Sequence, residues 1–285
     1  MKSFFAFIRM IKLEHTIFSL PFAFVGMFLA AKGLPSIKTI IWVTIAMIGA
    51  RSAAMGLNRY VDAEIDARNP RTANREIPAG NISKKNTMLY TVISLAVYFF
   101  STYMMNKLAL ILSPIPILIF ILYSYTKRFT NMCHIVLGLA LGLAPIGAWV
   151  AVTGSIDTPP FILCFAILAW VAGFDISYAI QDIDFDRDEG LYSIPKAVGV
   201  RGSLIIARIL HIIAFALFVS LMAFSNELGY IYLAGVLISG AFMAYEHTLI
   251  SYKDLSKLNI AFFNMNAYIS LTIMIFSLAD ILVIK

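Results

Sequence analysis

The sequence predicts an all-α integral membrane protein with about nine transmembrane helices around a central cavity. Of its 285 residues, 60% are hydrophobic and only 13% are charged, whereas soluble domains carry about 25% charged residues. The mean hydropathy of +0.85 also lies on the membrane side. A soluble chain this apolar would need an implausibly large core, so we expect lipid to be the solvent for most of it. We predict one transmembrane domain over residues 1–285.

Nine apolar runs approach the length of about 20 residues that a membrane-spanning helix needs. They lie at 16–33, 37–57, 87–104, 107–125, 133–153, 160–181, 203–224, 228–246 and 260–283. Internal Pro and Gly residues fit this assignment, because neighbouring helices can satisfy the freed backbone groups. Residues 4–8 form a shorter apolar stretch, which charges interrupt and no cleavage site follows. It predicts an interfacial helix instead of a signal peptide.

Lysines and arginines concentrate on one predicted side of the membrane. With nine spans, the N-terminus and the loops after the even-numbered spans share a side, and most of the basic residues fall there. The positive-inside rule makes that side cytoplasmic, in a plasma membrane. Two long charged loops, 58–86 and 182–202, each follow a span that ends in acidic residues. This spacing predicts two pseudo-repeated four-helix halves.

Composition also argues against two other classes of function. The net charge of +6 does not predict nucleic-acid binding, because the basic residues are dispersed through short loops between apolar runs. Cys133 and Cys164 have no CxxC spacing and no neighbouring histidine cluster, so we interpret them as core residues.

The first candidate cluster follows the second apolar run. Asn58, Asp62 and Asp66 are spaced i, i+4 and i+8, which places them on one face of a helix. Neighbouring carboxylates there repel each other unless a cation lies between them. Mg²⁺ suits the pattern, because it takes one or two carboxylates and binds substrate phosphates with its remaining positions. The alternative is a solvated helix end with ordinary charges.

The second candidate cluster closes the sixth apolar run. Its members, one predicted helical stripe, are Asp175, Tyr178, Asp182 and Asp186. Asp175 should lie within the membrane, where an ionisable residue indicates function. The alternating acids over 182–193 also suggest a calcium loop, but Arg and Ser stand where that loop requires Gly and Glu. Asp184 and Asp188 point off the stripe, so we expect them to be solvated.

Basic residues lie on the same predicted side as both clusters. They are Arg71, Arg75, Lys127, Arg128 and Lys196. Carboxylates hold metals while Lys and Arg hold phosphate oxygens, so the combination predicts a diphosphate site. Any one of these cations alone is more typical of a topology determinant.

Arg51 lies seven residues before Asn58, inside an apolar run. A buried arginine needs an anionic partner. That partner is either the carboxylate of a substrate or a structural acid such as Asp175, and the sequence leaves both open.

At these residues the sequence resembles the UbiA superfamily of membrane prenyltransferases. The family motif NxxxDxxxD stands as Asn58, Asp62 and Asp66, and YAxxDxxxD stands as Tyr178, Ala179, Asp182 and Asp186. Residues 71–80 resemble the family's RTxNRxxPxG segment, and residues 123–128 resemble its tyrosine-to-KR element. The resemblance covers nearly the whole chain. One departure is Arg59, where many members have Asp.

The resemblance implies a 4-hydroxybenzoate polyprenyltransferase-like enzyme of quinone biosynthesis. It would transfer a polyprenyl group from a prenyl diphosphate to an aromatic acid, with Mg²⁺ as cofactor and the lipid bilayer as surroundings. Residues 12–22 resemble a subgroup that makes menaquinone from a dihydroxynaphthoate acceptor. The acceptor is therefore a hydroxybenzoate or a naphthoate at this stage, and ubiquinone and menaquinone both remain open.

The implied roles follow the motifs. The metal ligands would be Asp62, Asp66, Asp182 and Asp186. The residues that bind the diphosphate or the acceptor would be Asn58, Arg51, Arg71, Arg75, Lys127, Arg128 and Lys196. The catalytic residues would be Asp175, Tyr178 and Asp182. Other acceptors within the family are haem, chlorophyllide or a glycerol phosphate lipid. The rival class is a transporter, but a transporter site should lie at the bilayer midplane, whereas these acids crowd one interface.

Overall fold

The computed structural model describes residues 2–12 and 18–283. These residues form helices joined by turns, with no β-strand among them, which confirms the all-α prediction. The helices are α1 (Lys2–Ile11), α2 (Leu20–Ala31), α3 (Ile37–Arg68), α4 (Lys84–Met105), α5 (Lys107–Leu112), α6 (Pro114–Thr126), α7 (Cys133–Thr153), α8 (Thr158–Ala179), α9 (Ile183–Asp188), α10 (Ile194–Ser220), α11 (Tyr230–Leu249), α12 (Leu258–Ile260) and α13 (Asn266–Val283).

Seven stretches of the described chain are long and apolar enough to cross a membrane. They are Ile37–Arg68, Lys84–Met105, Lys107–Thr126, Cys133–Thr153, Thr158–Asp188, Ile194–Phe224 and Leu258–Val283. The predicted nine spans are therefore not all confirmed. The first run contains α2, which has only 12 residues, and its start, with residues 13–17 of the segment 12–22, lies outside the described residues. The eighth run forms α11, which Glu246 and His247 make more polar.

The first compact unit contains α1 and the helices from α3 to α6. α3 and α4 pack closely, since a Cβ added at Gly49 would lie 3.0 Å from the backbone nitrogen of Tyr98. The predicted N-terminal helix exists as α1, whose Phe7 and Met10 pack with Ile82 in a buried cluster. This packing fixes α1 against the helix pair that carries the first acidic cluster.

The length of α3 determines where its acidic turns lie. It has 32 residues, which at 1.5 Å each makes a helix about 48 Å long. The hydrocarbon layer is only about 30 Å thick. The polar C-terminal turns of α3 therefore extend beyond the apolar layer.

The second compact unit contains α2 and the helices from α7 to α13. α8 is its central helix and packs against both α7 and α10. A Cβ added at Gly142 of α7 would lie 2.6 Å from the carbonyl oxygen of Cys164 in α8, so small residues allow the close approach. Cys164 is buried in this contact, as expected of a core residue.

Candidate active site

The first acidic cluster occupies the last turns of α3, as the i, i+4, i+8 spacing predicts. Asp62 and Asp66 are buried, with 3% and 4% of their surface exposed. Asn58 Nδ2 donates a hydrogen bond to Asp62 Oδ2 over 3.1 Å. The asparagine therefore orients one carboxylate on the predicted face.

Asp66 is held by arginines. Arg75 Nη1 donates to Asp66 Oδ1 over 2.6 Å, and Arg59 Nη1 lies 3.9 Å from Asp66 Oδ2. The Oδ2 atom is buried and has no hydrogen-bond partner among the described residues. A buried carboxylate oxygen without a donor is an available ligand for a cation, so the residues present fit Mg²⁺.

The loop after α3 places Arg75 by local hydrogen bonds. Thr72 Oγ1 donates to the carbonyl oxygen of Asp66 over 3.0 Å, which folds the chain back over the helix end. Asn69 Oδ1 accepts from the backbone nitrogen of Arg71 over 2.9 Å. The turn directs Arg75 to the cluster, whereas Arg71 is exposed.

The second acidic cluster begins at Asp175 on α8. Its Oδ2 lies 2.7 Å from Nδ1 of His134, at the start of α7. His134 is buried, and its side chain is 4% exposed against 21% for Asp175. None of the sequence motifs contains this histidine.

Asp182 and Asp186 do not continue one unbroken α-helical stripe. α8 ends at Ala179, and a 3₁₀ turn over Ile180–Asp182 leads into α9. The tighter turn changes the angle between successive residues. The prediction of one continuous stripe from Asp175 to Asp186 is therefore wrong, because the chain bends at this turn. Asp186 is nevertheless buried, and its Oδ2 accepts from Ser193 Oγ over 2.6 Å.

The comparisons with known proteins bear on what these clusters do. The model of the UbiA prenyltransferase family matches residues 19–268, which is most of the chain. The chain belongs to the UbiA prenyltransferase family.

Relatives and solved structures agree with this assignment. A 4-hydroxybenzoate octaprenyltransferase from Vibrio cholerae serotype O1 is 32% identical over 248 residues, covering 87% of this chain and 86% of the relative. The apo structure of a UbiA homolog from Aeropyrum pernix K1 aligns with TM-score 0.86 and 34% identity, over 95% of this chain and 99% of that chain. A UbiA homolog from Archaeoglobus fulgidus bound to GPP and Mg²⁺ shares the fold, with TM-score 0.71 and 16% identity over 97% of this chain and 99% of that chain. This protein is therefore a multi-pass membrane prenyltransferase.

The basic residues of the prenyltransferase differ in how they are engaged. Lys196 Nζ donates to the carbonyl oxygen of Leu191 over 2.6 Å and lies 5.5 Å from the ring centroid of Tyr192. The backbone carbonyl of Lys127 accepts from the Tyr192 nitrogen over 2.8 Å. This hydrogen bond fixes the segment after α9 to the loop between α6 and α7. Lys127 and Arg128 of that loop are half-buried.

Tyr178 lies against an aromatic cluster of the second unit. Its ring stacks on Phe262 with 4.0 Å between centroids and an interplanar angle of 28°. Phe262 in turn meets Phe174 edge to face at 5.3 Å. Phe174 precedes Asp175 in the chain, so packed aromatic rings lie next to this acid.

Sequence reasoning underestimated two residues near the acids. Arg59 is the departure from the family motif, and its side chain, 12% exposed, lies beside Asp66. The i, i+7 spacing on α3 was the signal that could have found it. His134 stands 41 residues from Asp175, and only the packing of α7 on α8 brings them together. No local pattern contains that information.

Three further expectations have plain outcomes. Asp184 is solvated as predicted, with a side chain 92% exposed beside Arg187, and Asp188 is exposed too. No group of three or more His, Cys, Asp or Glu residues that could hold a metal by themselves occurs in the described chain. Arg51 is half-buried on α3, and its predicted role stays a prediction.

Proposed function

We propose that this prenyltransferase transfers a polyprenyl group from a prenyl diphosphate to a hydroxylated aromatic acid, with Mg²⁺ as cofactor. The observation that carries the proposal is how the two carboxylate oxygens of Asp66 are engaged. One oxygen of this buried carboxylate is held by Arg75, and the other is buried and accepts no hydrogen bond from any residue that the structure describes. A diphosphate that carries a metal ion needs a carboxylate oxygen to bind the metal and a neighbouring arginine to bind the phosphate oxygens.

The first unit supplies one part of the diphosphate chemistry. Asp62 and Asp66 would hold Mg²⁺, and Asn58 keeps Asp62 oriented through its 3.1 Å hydrogen bond. When bound, the metal supplies positive charge to the diphosphate oxygens as the carbon–oxygen bond breaks. Arg75 and the exposed Arg71 add donors for the leaving group, which departs with the electron pair.

The second unit supplies the other acidic motif. Asp182 and Asp186 would also hold Mg²⁺, with Ser193 fixing one oxygen of Asp186. Lys127, Arg128 and Lys196 provide cations on the segments that flank α9. For Lys196 this requires exchanging the Leu191 carbonyl for a phosphate oxygen, a change that a flexible four-carbon side chain allows.

The acceptor half of the reaction falls to other residues. Arg51 would bind the carboxylate of the aromatic acid. Asp175 would accept a hydrogen bond from its hydroxyl group, or take its proton, with Tyr178 beside it. The electron-rich ring carbon attacks the allylic carbon, a carbon–carbon bond forms, and the ring loses one proton.

Relatives narrow the acceptor and the setting. The Vibrio cholerae relative is named for 4-hydroxybenzoate, which favours that acceptor, and the residues that resemble a dihydroxynaphthoate subgroup keep a naphthoate as the second choice. Either acceptor places the enzyme in quinone biosynthesis. The basic loops favour the plasma membrane, with the N-terminus and acidic loops cytoplasmic.

Product analysis tests the proposal. Purified enzyme in lipid nanodiscs receives one polyprenyl diphosphate, Mg²⁺ and either 4-hydroxybenzoate or a dihydroxynaphthoate, and mass spectrometry identifies the product. We expect a prenylated aromatic acid from at least one acceptor and none after chelation of Mg²⁺. The absence of any prenylated aromatic product, with prenylation of haem precursors, chlorophyllide or glycerol phosphate lipids instead, would overturn the acceptor assignment.

A further inference from the structure

His134 makes a specific contact with the acid that faces the acceptor chemistry. Its Nδ1 lies 2.7 Å from Asp175 Oδ2. A carboxylate is only an acceptor, so Nδ1 carries the proton and donates. The Nε2 atom is buried without a hydrogen-bond partner in the described chain. The ring is therefore held from its other side, by Asp175 and by the neighbouring Cys133 side chain.

The helices that carry the pair are closely packed. His134 is the second residue of α7, and Asp175 lies in the last turns of α8. Gly142 of α7 approaches the backbone of α8 so closely that an added Cβ would lie 2.6 Å from a carbonyl oxygen. A rigid helix pair holds the imidazole and the carboxylate at one separation.

Burial differs between the two partners. The His134 side chain is 4% exposed and the Asp175 side chain 21%. Asp175 is therefore the partner that a substrate can reach, and His134 lies behind it. Because His134 holds Oδ2 from the buried side, it sets the direction in which Oδ1 of Asp175 points. Residues that hydrogen-bond to metal ligands orient those ligands in the same way.

We propose that His134 is a positioning residue that holds Asp175 Oδ2 and leaves Oδ1 directed at the hydroxyl group of the aromatic acceptor. The inference rests on the proposed function and assigns the pair to acceptor selection. A carboxylate repels the acidic group of the acceptor and attracts its hydroxyl. The pair therefore selects aromatic acids that carry a hydroxyl over those in which it is methylated, because the methylated form leaves Asp175 without a donor.

Two variants at His134 separate positioning from packing. His134→Leu fills similar space without a donor, and His134→Asn keeps an amide nitrogen near the position of Nδ1. The matched control is His211→Leu, since His211 is a second buried histidine of the same unit. Its ring nitrogens lie 3.2 Å from the Trp170 carbonyl oxygen and 3.0 Å from His247, and neither of these partners is an acid.

The readout is the specificity constant for each substrate, measured with saturating amounts of the other. A hydrogen bond to a charged group contributes enough for kcat/KM of the hydroxylated acceptor to fall by about 10- to 100-fold in His134→Leu. We expect KM for the prenyl diphosphate to stay at the wild-type value, and His134→Asn to recover most of the loss. His211→Leu should lower thermal stability without changing the preference for hydroxylated over methoxylated acceptors.

Several results would overturn the inference. One is a wild-type kcat/KM for the acceptor in His134→Leu; another is an equal loss in His134→Asn and His134→Leu; a third is an equal loss for both substrates. If the wild type prenylates no aromatic acid, the proposed function fails, and calorimetric binding of 4-hydroxybenzoate and 4-methoxybenzoate then tests the pair by itself. Equal affinities of wild type and His134→Leu for 4-hydroxybenzoate would refute it.

Discussion

Replacing Arg75 by alanine tests the electrostatic balance at Asp66 most sharply. In the structure, Arg75 Nη1 lies 2.6 Å from Asp66 Oδ1, with side chains 27% and 6% exposed. Arg59 stays 3.9 Å from the other oxygen, so the variant leaves a buried carboxylate with one weaker cation. A hydrogen bond between charged groups contributes about 1.5–3 kcal/mol. At about 2–4 °C per kcal/mol, Tm should fall by about 3–12 °C.

The assay is thermal unfolding of detergent-solubilised protein, with a chelator and with added Mg²⁺. We expect Mg²⁺ to raise Tm more in Arg75→Ala than in the wild type, because the arginine no longer shares the carboxylate. Arg75→Lys should fall between, since a lysine keeps the charge but lacks the planar fork. Lower affinity for the prenyl diphosphate should accompany both changes.

Lys84→Ala is the matched control, because it removes a solvent-exposed ion pair from the same unit. Lys84 Nζ lies 2.8 Å from Glu64 Oε1, but the side chains are 45% and 80% exposed, so the loss should be close to zero. Equal Tm values for Arg75→Ala and Lys84→Ala would refute the reasoning. Equal stabilisation of Arg75→Ala and wild type by Mg²⁺ would show that Arg75 and the metal do not share the Asp66 carboxylate.

Three further variants probe the second unit. Ser193→Ala removes a 2.6 Å hydrogen bond to Asp186, so KM for the prenyl diphosphate should rise by about 10-fold in steady-state assays, while Ser193→Thr should retain the wild-type value. Gly173→Ala places a Cβ 2.6 Å from Nε2 of His211; overpacking should cost about 1–3 kcal/mol in denaturant unfolding, and an unchanged midpoint would contradict the packing. Asp280 is fully buried and accepts from two backbone nitrogens at the start of α11, over 2.5 and 2.8 Å. Asp280→Ala should therefore destabilise by about 3–6 kcal/mol, and Asp280→Asn, which keeps an acceptor, by clearly less.

The sequence predicts the helical class well because the signals for it are local. Apolar runs have a length set by the bilayer, and i, i+4 spacing places Asp62 and Asp66 on one face of α3. α2 has only 12 residues, and α11 carries Glu246 and His247. Neither helix is therefore among the seven stretches that are long and apolar enough to cross a membrane.

The remainder of the site depends on contacts between distant segments. His134 and Asp175 meet only because glycines let α7 and α8 approach closely. The bend between Tyr178 and Asp186 depends on a 3₁₀ turn over Ile180–Asp182 that no residue in the turn dictates. Ser193 reaches Asp186 from the start of α10, where it also accepts from the backbone nitrogen of Lys196. Sequence spacing identifies the acids, and tertiary packing selects their partners.

Diphosphate release from labelled prenyl diphosphate, measured against Mg²⁺ concentration, tests the central claim most directly. The comparison is between wild type and the double variant Asp62→Ala/Asp182→Ala, which removes one acid from each motif. The account predicts Mg²⁺-dependent release in the wild type when an aromatic acid is present, and loss of that release in the double variant. Full activity of a folded double variant would contradict it.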